Sequence, residues 1–382
     1  MKTYDVIIIG AGAGGLKAAT ELYARKKSVL ILDMGENPAR KVAISGAGKC
    51  NFTNTAADYT RYFGKNPQFV RSALAQYSPN DTLNWVKQHK IKYYEKEPGR
   101  FFCKDNANDI VNALITDISD TEIKYNTIVK DVEKQNDLFS VITNGKTFQS
   151  KSLIIASGGI SWESAGVSTI GHIIAKKFGH KIEPVRPALC AIKTKYFSAD
   201  LAGISLSVEI KTNKHTICDD LLFTHFGIGG PAVYRATLFD THNLTINFAP
   251  NMDILELLLN AKHINGKRSL VNVIAEILPQ KLARFICGKD TTNIADYKDS
   301  KIKEITNHIT QFEIDDAKSI GMQSAEVTAG GVSVDKISSK TMESLLCRGL
   351  YFVGEVMDIT GDLGGFNLQW AWSSGFVAGQ NA

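Results

Sequence analysis

The chain has 382 residues, of which 44% are hydrophobic and 22% are charged, so it is long enough to bury more than one hydrophobic core. Its 44 basic and 39 acidic residues leave a net charge of +5, which suits anionic ligands but does not by itself indicate nucleic-acid binding. The six cysteines form no C-x-x-C pair, which argues against a zinc site, an iron–sulfur cluster or a dithiol centre.

The N-terminal residues predict a βαβ unit. The apolar run Asp5–Gly10 ends in glycine, which is typical of a strand buried on both faces of a parallel sheet. Apolar residues then recur at helical spacing from Gly14 to about Arg25, and Ser28–Asp33 follows as a second strand. We therefore expect a Rossmann-type unit to begin within the first few residues.

The turn between that strand and helix matches the pattern G-x-G-x-x-G. We expect Gly10 to make the tight turn, Gly12 to let the backbone approach a pyrophosphate, and Gly15 to allow close packing of helix on strand. By itself the pattern fits a ligand-free turn equally well, but its position between strand and helix favours a dinucleotide. Asp33, at the end of the second strand, is placed to accept ribose hydroxyls, which favours FAD or NAD over NADP.

The segment Arg40–Asn51 is basic at both ends and rich in small residues. Such a composition allows backbone N–H groups to surround a diphosphate, although a solvated turn is the alternative. A P-loop would require glycine at Ala43 and serine or threonine at Cys50, so an ATPase is disfavoured. Cys50 is interpreted as a small packed side chain, with a redox or nucleophilic role as the alternative.

The centre of the chain alternates predicted helices and strands. We expect helices at about 66–88 and 107–118, strands at 123–133, 138–143 and 152–159, and a turn at Asn144-Gly145. Residues 191–248 are rich in β-type runs and residues 254–308 are dominated by helix-like segments, so this region is predicted to be an inserted domain. Strand-like residues return at 325–334 and 349–354, before a closing helix at about 368–378.

His225 lies in the glycine-rich segment Thr224–Pro231 of the predicted insert. An imidazole there is our candidate catalytic group, as an acid, a base or a substrate-binding group. An ordinary hydrogen-bonded loop histidine is the alternative.

The C-terminal segment Gly354–Gln369 contains a strand end, an acid, a glycine pair and a helix start, in that order. It offers a second helix N-terminus to an anionic or electron-accepting group, which in a flavoprotein is the N1/C2=O edge of the isoalloxazine. Glu355 is placed to hydrogen-bond a ribityl hydroxyl. A purely structural strand–turn–helix is the alternative, and Trp370 and Trp372 are interpreted as core or flavin-pocket packing.

Along nearly its whole length the chain resembles the YhiN/BaiN-like NAD(P)/FAD-dependent oxidoreductases, some of which are described as aminoacetone oxidases or as reductases of dehydro-bile acids. The resemblance is carried by Gly10–Gly15, KVAISGAGKCNFTN from Lys41, FTHFGIGGP from Phe223, TAGGV from Thr328 and GEVMDITGDLGGFNLQWAWSSG from Gly354. It implies an α/β fold with a Rossmann-like, glutathione-reductase-like FAD-binding domain at 1–190 and 321–382. An insert at 191–320 would combine a β-barrel part, 191–250 and 309–320, with a small helical part, 251–308.

The resemblance also implies roles for individual residues. The backbone of Val129 would contact the adenine, the Cys50-Asn51 backbone would lie near the flavin or pyrophosphate, and Asn367-Leu368 would cap the C2=O edge. With the motifs above, the expected contacts of a non-covalent FAD are Gly10, Gly12, Ala13, Gly14, Gly15, Asp33, Arg40, Lys41, Ser45, Gly46, Cys50, Asn51, Val129, Ala156, Gly158, Gly354, Glu355, Gly365, Asn367 and Leu368. No metal site is expected.

Our main hypothesis is an FAD-dependent oxidoreductase that moves a hydride between a small organic substrate and flavin N5, in the manner of an amine oxidase or an enone reductase. One alternative is a flavin-dependent RNA-modifying or RNA-associated protein, whose basic face would use Lys262, Lys267, Lys281, Arg284 and Lys289. Another is a non-catalytic flavin redox sensor. The sequence leaves the substrate, the direction of transfer and the oligomeric state open.

No second full G-x-G-x-x-G follows a predicted strand. NAD(P)H is therefore expected only as a transient electron donor that reaches the flavin through the substrate opening. The expected partner is a small molecule, with neither nucleic acid nor membrane, because the basic excess is mild and no apolar run approaches the ~20 residues of a membrane span. Cysteine usage favours the cytoplasm.

Overall fold

The structure is a computed structural model, which describes residues 2–162, 167–239, 241, 243–288 and 291–382. The chain forms two compact units. The first comprises Met1–Pro187 and Met322–Ala382, and the second comprises Ala188–Gly321. Each unit contains its own cluster of buried hydrophobic residues. The second unit is thus a continuous segment inserted between two parts of the first.

The helices and strands follow one another along the chain in three groups. Before the second unit come β1 (Thr3–Ile9), α1 (Ala13–Ala24), β2 (Val29–Leu32), α2 (Arg40–Gly48), β3 (Asn51–Asn54), β4 (Tyr62–Phe63), α3 (Val70–Gln76), α4 (Pro79–Gln88), β5 (Tyr93–Glu97), β6 (Arg100–Cys103), α5 (Asn108–Thr116), β7 (Glu122–Lys124), β8 (Val129–Gln135), β9 (Leu138–Thr143), β10 (Thr147–Ile155), α6 (Ile170–Lys177) and β11 (Ile182–Ala188). The second unit contains β12 (Ile192–Lys193), β13 (Ser205–Lys211), β14 (Thr216–Thr224), β15 (Gly227–Gly229), α7 (Pro231–Ala236), β16 (Leu244–Asn247), α8 (Ile254–Ile264), α9 (Leu270–Ile274), α10 (Gln280–Cys287), α11 (Asp299–Thr310), β17 (Phe312–Ile314) and β18 (Lys318–Ser319). The chain then returns to the first unit with β19 (Val327–Val332), β20 (Leu350–Phe352), β21 (Thr360–Gly361) and α12 (Phe366–Asn381).

The main sheet of the first unit has the order β7-β2-β1-β10-β9-β8, with β20 also paired to β10. Strands β1, β2, β7, β10 and β20 run parallel, and β8 and β9 form an antiparallel extension. The β-branched side chains of β1 are buried on both faces, as expected for a central parallel strand. This βαβ arrangement confirms the predicted α/β Rossmann-type fold, and the carboxyl ends of β1, β2 and β10 form the edge where ligands of such folds bind.

The helix predicted at 66–88 is two helices, α3 and α4, separated at Tyr77 and Ser78. Ser78 caps α4 in a capping box with Asp81, and Pro79 occupies the first turn of the helix. Both signals are local, but continuous apolar periodicity hid them. The single-helix prediction was therefore wrong at this point.

The described residues of the second unit form one sheet, in the order β17-β16-β13-β14-β15-β12-β18, and the helices α7 to α11. Four Cα steps from Ile314 to Lys318 span at most ~14 Å, whereas the edges of a flat sheet of seven strands would lie ~29 Å apart. The edge strands must therefore approach each other, so the sheet is curled. Within the described residues β17 and β18 share no ladder, and closure into a barrel stays a prediction.

Membrane-spanning helices and metal-binding clusters are two further features that bear on the expected partners and cofactors. Among the helices of the described residues, none has both the length and the apolar character needed to cross a membrane. In the same part of the chain, no group of three or more His, Cys, Asp or Glu side chains is arranged to hold a metal ion.

Candidate functional site

The three glycines of the first turn differ in their surroundings. A Cβ on Gly10 would lie 2.3 Å from the carbonyl oxygen of Ala156, and one on Gly15 would lie 2.0 Å from the carbonyl oxygen of Gly10. These two glycines therefore allow close packing of the turn, β10 and α1. A Cβ on Gly12 would meet no atom within 4 Å. The open space beside Gly12 is where a pyrophosphate could approach the backbone.

Helix α1 begins beside that space. Gly12 is its N-cap residue, without a side-chain cap, and the first turn carries no acidic residue. The first helical hydrogen bond runs from the N–H of Leu16 to the carbonyl of Gly12, at 2.9 Å. The N–H groups of Ala13, Gly14 and Gly15 precede it, at the positive end of the helix dipole. This is a suitable site for an anionic group.

Asp33 follows β2 and holds the glycine-rich turn. Its Oδ2 accepts a hydrogen bond from the N–H of Ala11 at 2.7 Å, and its Oδ1 accepts one from the N–H of Gly35 at 2.7 Å. Nη2 of Arg40 lies 3.5 Å from Oδ1. Because each carboxylate oxygen has two lone pairs, acceptor positions remain for ribose hydroxyls. Binding of the ribose by Asp33 stays a prediction, and the structure adds its second task of fixing the turn.

The segment after Arg40, expected to be a loop, is helical only in its first part. α2 is interrupted where Ser45 has ψ of 151° and Gly46 and Ala47 have φ of 57° and 55°. The N–H of Cys50 returns to the carbonyl of Ser45 at 2.9 Å. Consecutive residues near the left-handed region orient backbone N–H groups as in anion-binding nests.

Cys50 closes this turn in a left-handed conformation and is fully buried. Hydrogen bonding to Cys103 and burial hold the pKa of the Cys50 thiol well above its ordinary value, so the thiol stays protonated. A protonated, buried thiol is a poor nucleophile and a poor redox group. The interpretation as a packed side chain that contributes its backbone is therefore favoured.

The carboxylate of Glu355 accepts hydrogen bonds from three other segments of the first unit. Its Oε2 accepts from Nζ of Lys41 at 2.9 Å, and its Oε1 accepts from the N–H of Thr328 at 2.8 Å and from Oγ of Ser161 at 3.1 Å. Nζ of Lys41 also donates to Oγ of Ser161 at 3.2 Å. Lys41 and Glu355, predicted from separate motifs, thus lie together. Sequence reasoning missed Ser161 and Thr328 as members of this cluster, although Thr328 opens the quoted TAGGV segment.

The Glu355 carboxyl of this cluster is held in its ionised form. Burial opposes ionisation of Glu355, but the ammonium of Lys41 and the N–H groups of Thr328 and Gly159 outweigh it and hold the pKa of the carboxyl below its ordinary value of 4.5. The carboxylate is therefore ionised at neutral pH and is an acceptor fixed by its donors. Its hydrogen bond to a ribityl hydroxyl stays a prediction.

A second helix N-terminus lies at α12. Its N-cap residue, Gly365, has φ of 92°, and the first helical bond runs from Gln369 to Gly365 at 3.0 Å. The side chain of Asn367 makes two hydrogen bonds to the backbone of Gly361. Its Oδ1 accepts from the Gly361 N–H at 2.8 Å, and its Nδ2 donates to the Gly361 carbonyl at 2.9 Å. The backbone N–H groups of Asn367 and Leu368 precede that first helical bond, which is the geometry required of a cap for an electron-rich edge.

Strand β3 brings the Cys50-Asn51 stretch to the same helix N-terminus. With the Asn51 amide oriented to satisfy both of its groups, its oxygen accepts from the N–H of Gly365 at 3.1 Å and its nitrogen donates to the carbonyl of Phe101 at 3.2 Å. The two tryptophans of α12 are buried, Trp370 donating to the carbonyl of Gly354 and Trp372 to that of Phe52. They are packing residues that tie α12 to β3 and β20.

The remaining predicted cofactor residues lie at strand ends of the first unit. Val129 begins β8 opposite Thr143, and Ala156 follows β10 with its N–H bonded to the carbonyl of Ile9 at 2.9 Å. Gly158 and Gly354 both have positive φ, of 72° and 69°. A contact of Val129 with adenine stays a prediction.

His225 belongs to the second unit. The segment predicted as a glycine-rich loop is a hairpin, in which His225 and Phe226 form the two-residue turn between β14 and β15. Both side chains are exposed. Gly227 is required because a Cβ there would lie 2.2 Å from the carbonyl oxygen of Ile192 on the neighbouring strand β12. The structure thus places His225 at an accessible hairpin tip, and its catalytic role stays a prediction.

The first unit suits FAD on chemical grounds. A Cβ on Gly48, like one on Gly12, would meet no atom within 4 Å, so both turns border open space. Two helix N-termini, the Asp33 carboxylate and the Lys41–Glu355 pair supply donors and acceptors for phosphates, ribose and an electron-rich ring edge.

The chain is similar to known proteins over essentially its whole length. A ribosomal RNA dihydrouridine synthase of Haemophilus influenzae is 39% identical to this chain, covering 97% of this chain and 96% of its own length. One from Escherichia coli is 34% identical, covering 100% and 98%. A 3-dehydro-bile acid delta(4,6)-reductase of Clostridium scindens is 27% identical, covering 98% of both chains.

Among solved structures, the Mycobacterium smegmatis Sdh1 complex superposes with a TM-score of 0.52 at 15% identity, covering 99% of this chain and 67% of that one. The FrdA chain of E. coli quinol fumarate reductase gives a TM-score of 0.51 at 13% identity, covering 99% and 69%. These likenesses concern the fold alone. A family model described as the HI0933-like protein Rossmann domain matches residues 4–381. The chain therefore belongs to the HI0933-like Rossmann family of flavoprotein oxidoreductases.

Proposed function

We propose that this chain is an FAD-dependent reductase that converts a uridine of ribosomal RNA to dihydrouridine. The supporting observation is its similarity, over essentially the whole length, to two ribosomal RNA dihydrouridine synthases. This favours the RNA-modifying alternative over a small organic substrate. Of our main hypothesis we keep the hydride transfer of an enone reductase, but we propose ribosomal RNA as the substrate in place of a small organic molecule.

The chemistry of the relatives has a common element. The C5=C6 bond of uracil is conjugated to the C4 carbonyl, and the name of the third relative describes reduction of double bonds in a 3-dehydro-bile acid. In both cases a carbon–carbon double bond conjugated to a carbonyl accepts two electrons and two protons. Reduced FAD, when bound, would supply the hydride for such a reduction, and the second hydrogen would come as a proton.

The chain's own residues would bind FAD and orient the flavin and the substrate. The turn at Gly12 and the first turn of α1 would hold the diphosphate. The Lys41–Glu355 ion pair would form the polar side of the pocket next to the diphosphate. The N–H groups of Asn367 and Leu368 would stabilise the electron-rich edge of the ring. His225 is proposed to act on the substrate, as an exposed imidazole able to hold or move a proton.

The basic face predicted for an RNA-binding form is partly neutralised within the second unit. Lys262 pairs with Asp299 at 2.7 Å, whereas Lys281 donates to a neutral backbone carbonyl, that of Asp200 at 3.2 Å, and keeps its charge. Lys267 and Arg284 are exposed, and Lys289 lies outside the described residues. These helices therefore offer less free positive charge than the sequence predicts.

The test uses mass spectrometry of nucleosides. Ribosomal RNA from a strain without the gene would be incubated anaerobically with the FAD-loaded protein and a chemical or nicotinamide reductant. We expect a uridine to gain two hydrogen atoms, and the Gly12→Val variant to give no product. Turnover of a bile-acid enone or an amine without any change in the RNA would instead support a small substrate, and no turnover of either would support the redox sensor.

A further inference from the structure

The sheet β3-β6-β5 of the first unit has two unlike faces. On one face Tyr93 and Phe101 pack against Phe52, with ring centroids 6.1 and 6.5 Å from that of Phe52, which is fully buried. Because side chains alternate along a strand, the next residues, Tyr94 and Phe102, lie on the opposite face. That face is not part of the core.

Tyr94 and Phe102 are direct cross-strand partners on β5 and β6. Their rings are stacked, with centroids 5.8 Å apart and an interplanar angle of 23°. Tyr94 is 39% exposed and Phe102 is half-buried. The two rings form a stacked aromatic pair at the solvent-exposed face of this sheet, which we call the Tyr94–Phe102 platform, and the ring of Tyr94 is its more exposed member.

Lysines surround the platform. Lys92 lies two residues before Tyr94 and Lys104 lies two residues after Phe102, so both share the face of the rings. Lys96 lies in the β-bulge between Glu95 and Glu97 and reaches the same face with its side chain. The strand pairing continues to Lys104, whose N–H donates to the carbonyl of Lys92 at 2.8 Å. All three side chains are exposed, and Nζ of Lys96 lies 5.9 Å from the centre of the Phe102 ring.

Two of the three carboxylates near these lysines have other partners. Glu97 pairs with Arg100 at 2.7 Å, and Oε1 of Glu95 accepts from the N–H of Gly99 at 2.6 Å. Asp105 lies 3.9 Å from Nζ of Lys92, both largely exposed, which is a weak pair in solvent. The surface around the platform therefore carries an excess of positive charge.

The platform is attached to the turn that we assign to the dinucleotide. A Cβ on Gly46 would lie 3.1 Å from the ring of Phe102. The N–H of Cys103 donates to the carbonyl of Lys49 at 2.8 Å, and the ammonium of Lys49 donates to the carbonyls of Lys104 and Asp105 at 3.0 and 2.8 Å. A ligand on the platform would thus lie next to this turn.

We propose that the Tyr94–Phe102 platform binds unpaired bases of RNA, with Lys92, Lys96 and Lys104 contacting the flanking phosphates. The inference rests on the proposed function and names the part of the substrate that the first unit would hold. Stacked aromatic rings with interleaved lysines suit single strands, whose bases expose their faces. A duplex hides those faces and would be bound by its phosphates alone.

The test measures binding of a short fluorescein-labelled oligouridylate to the FAD-loaded full chain by fluorescence anisotropy. We expect Tyr94→Ala to weaken binding by about fivefold to about 150-fold, the equivalent of ~1–3 kcal/mol per unstacked base, and Tyr94→Phe to bind like the parent. Lys96→Gln should reduce the slope of log affinity against log salt by roughly 0.7, one phosphate contact on a single strand.

Matched controls lie elsewhere in the first unit. Tyr59 is 36% exposed and lies under the guanidinium of Arg71, so Tyr59→Ala removes a comparable ring outside the platform. Lys130→Gln removes an exposed lysine from β8. Both controls should bind the oligouridylate like the parent. Thermal unfolding of each variant checks that a loss of binding is not a loss of fold.

Several outcomes would overturn the inference. Equal affinities for parent and Tyr94→Ala, absence of oligouridylate binding by the parent, or equal losses in Tyr94→Ala and Tyr59→Ala would each do so. If Tyr94→Ala weakened association with ribosomal subunits but not with the oligouridylate, the platform would be a protein contact. The dihydrouridine assay is independent, so a failed platform with intact product formation separates this inference from the proposed function.

Discussion

At the scale of single residues, Gly12 is distinguished by the open space beside it. Because Gly12 has φ of −82° and ψ of −174°, which valine adopts readily, Gly12→Val should fold like the parent but lose FAD. The parent should be yellow and release its FAD on denaturation, whereas the purified variant should be colourless. Gly145→Val, at another glycine with open surroundings, is the control and should stay yellow. FAD bound by Gly12→Val with parental affinity would show that the phosphate lies elsewhere.

Asp33→Ala should weaken FAD binding by roughly tenfold or more, because a charge-assisted hydrogen bond to ribose contributes ~1.5–3 kcal/mol. The same change removes the acceptors of the Ala11 and Gly35 N–H groups, so the FAD-free protein should also unfold at a lower temperature. Titration with FAD well below that temperature isolates the binding effect. An unchanged dissociation constant would reduce Asp33 to its role in the turn.

The Lys41–Glu355 pair gives a prediction about acid stability. The folded-state pKa of Glu355 lies below 4.5, so its contribution to the free energy of unfolding is fully present above pH 4.5 and is lost as the pH falls through the folded-state value. Glu355→Gln should lower the free energy of unfolding by ~1–3 kcal/mol at neutral pH and make its acid-side decline shallower. Urea unfolding across that range measures both. The exposed Glu133→Gln is the control, and curves that run parallel for Glu355→Gln and the parent would contradict this assignment.

At the scale of elements, the β14–β15 hairpin is the feature with a functional prediction. His225→Ala should lower substrate-dependent flavin turnover and leave FAD content unchanged, because His225 is proposed to act on the substrate and the residues predicted to bind FAD all lie in the first unit. Anaerobic stopped-flow spectra of the flavin measure the rate. His263→Ala, another exposed histidine of the second unit, should have no effect. A parental rate in His225→Ala would make this histidine a structural turn residue.

The strands and helices of the first unit show where local sequence patterns predict the structure and where they do not. The strand β1 and the turn at Gly10–Gly15 were predictable because β-branched runs and glycine spacing act on near neighbours. The break between α3 and α4 was signalled by Ser78 and Pro79 and was missed, since apolar periodicity continued across it. The small residues and glycines of the segment after Arg40 indicated a backbone able to surround an anion, but the exact place where α2 is interrupted, at Gly46 and Ala47, was not predicted.

For the whole molecule, the strand pairing of the second unit sets the expectation for the electron donor. Every strand pairing found in the sheet of the second unit is antiparallel, so its described residues contain no second parallel βαβ unit. Reduction of the flavin by NAD(P)H alone should therefore be slow or weakly saturable, because the described residues of the second unit offer no second βαβ unit to hold the nicotinamide at ~3–3.5 Å from N5. Anaerobic stopped-flow with increasing NADH or NADPH measures this, and fast, saturable reduction would contradict it.

Local residue patterns were enough to predict the Rossmann-type unit, the motifs expected to bind FAD and the interrupted order of the chain's elements, because each rests on residues close in sequence. It did not determine which distant residues meet. Glu355 and Lys41 are 314 positions apart, and β3 with α12 joins Asn51 to Gly365. The Tyr94–Phe102 platform likewise required the strand register that places one ring opposite the other. Such contacts depend on how the strands pair and pack, and that is decided by burial over the whole core rather than by any local pattern.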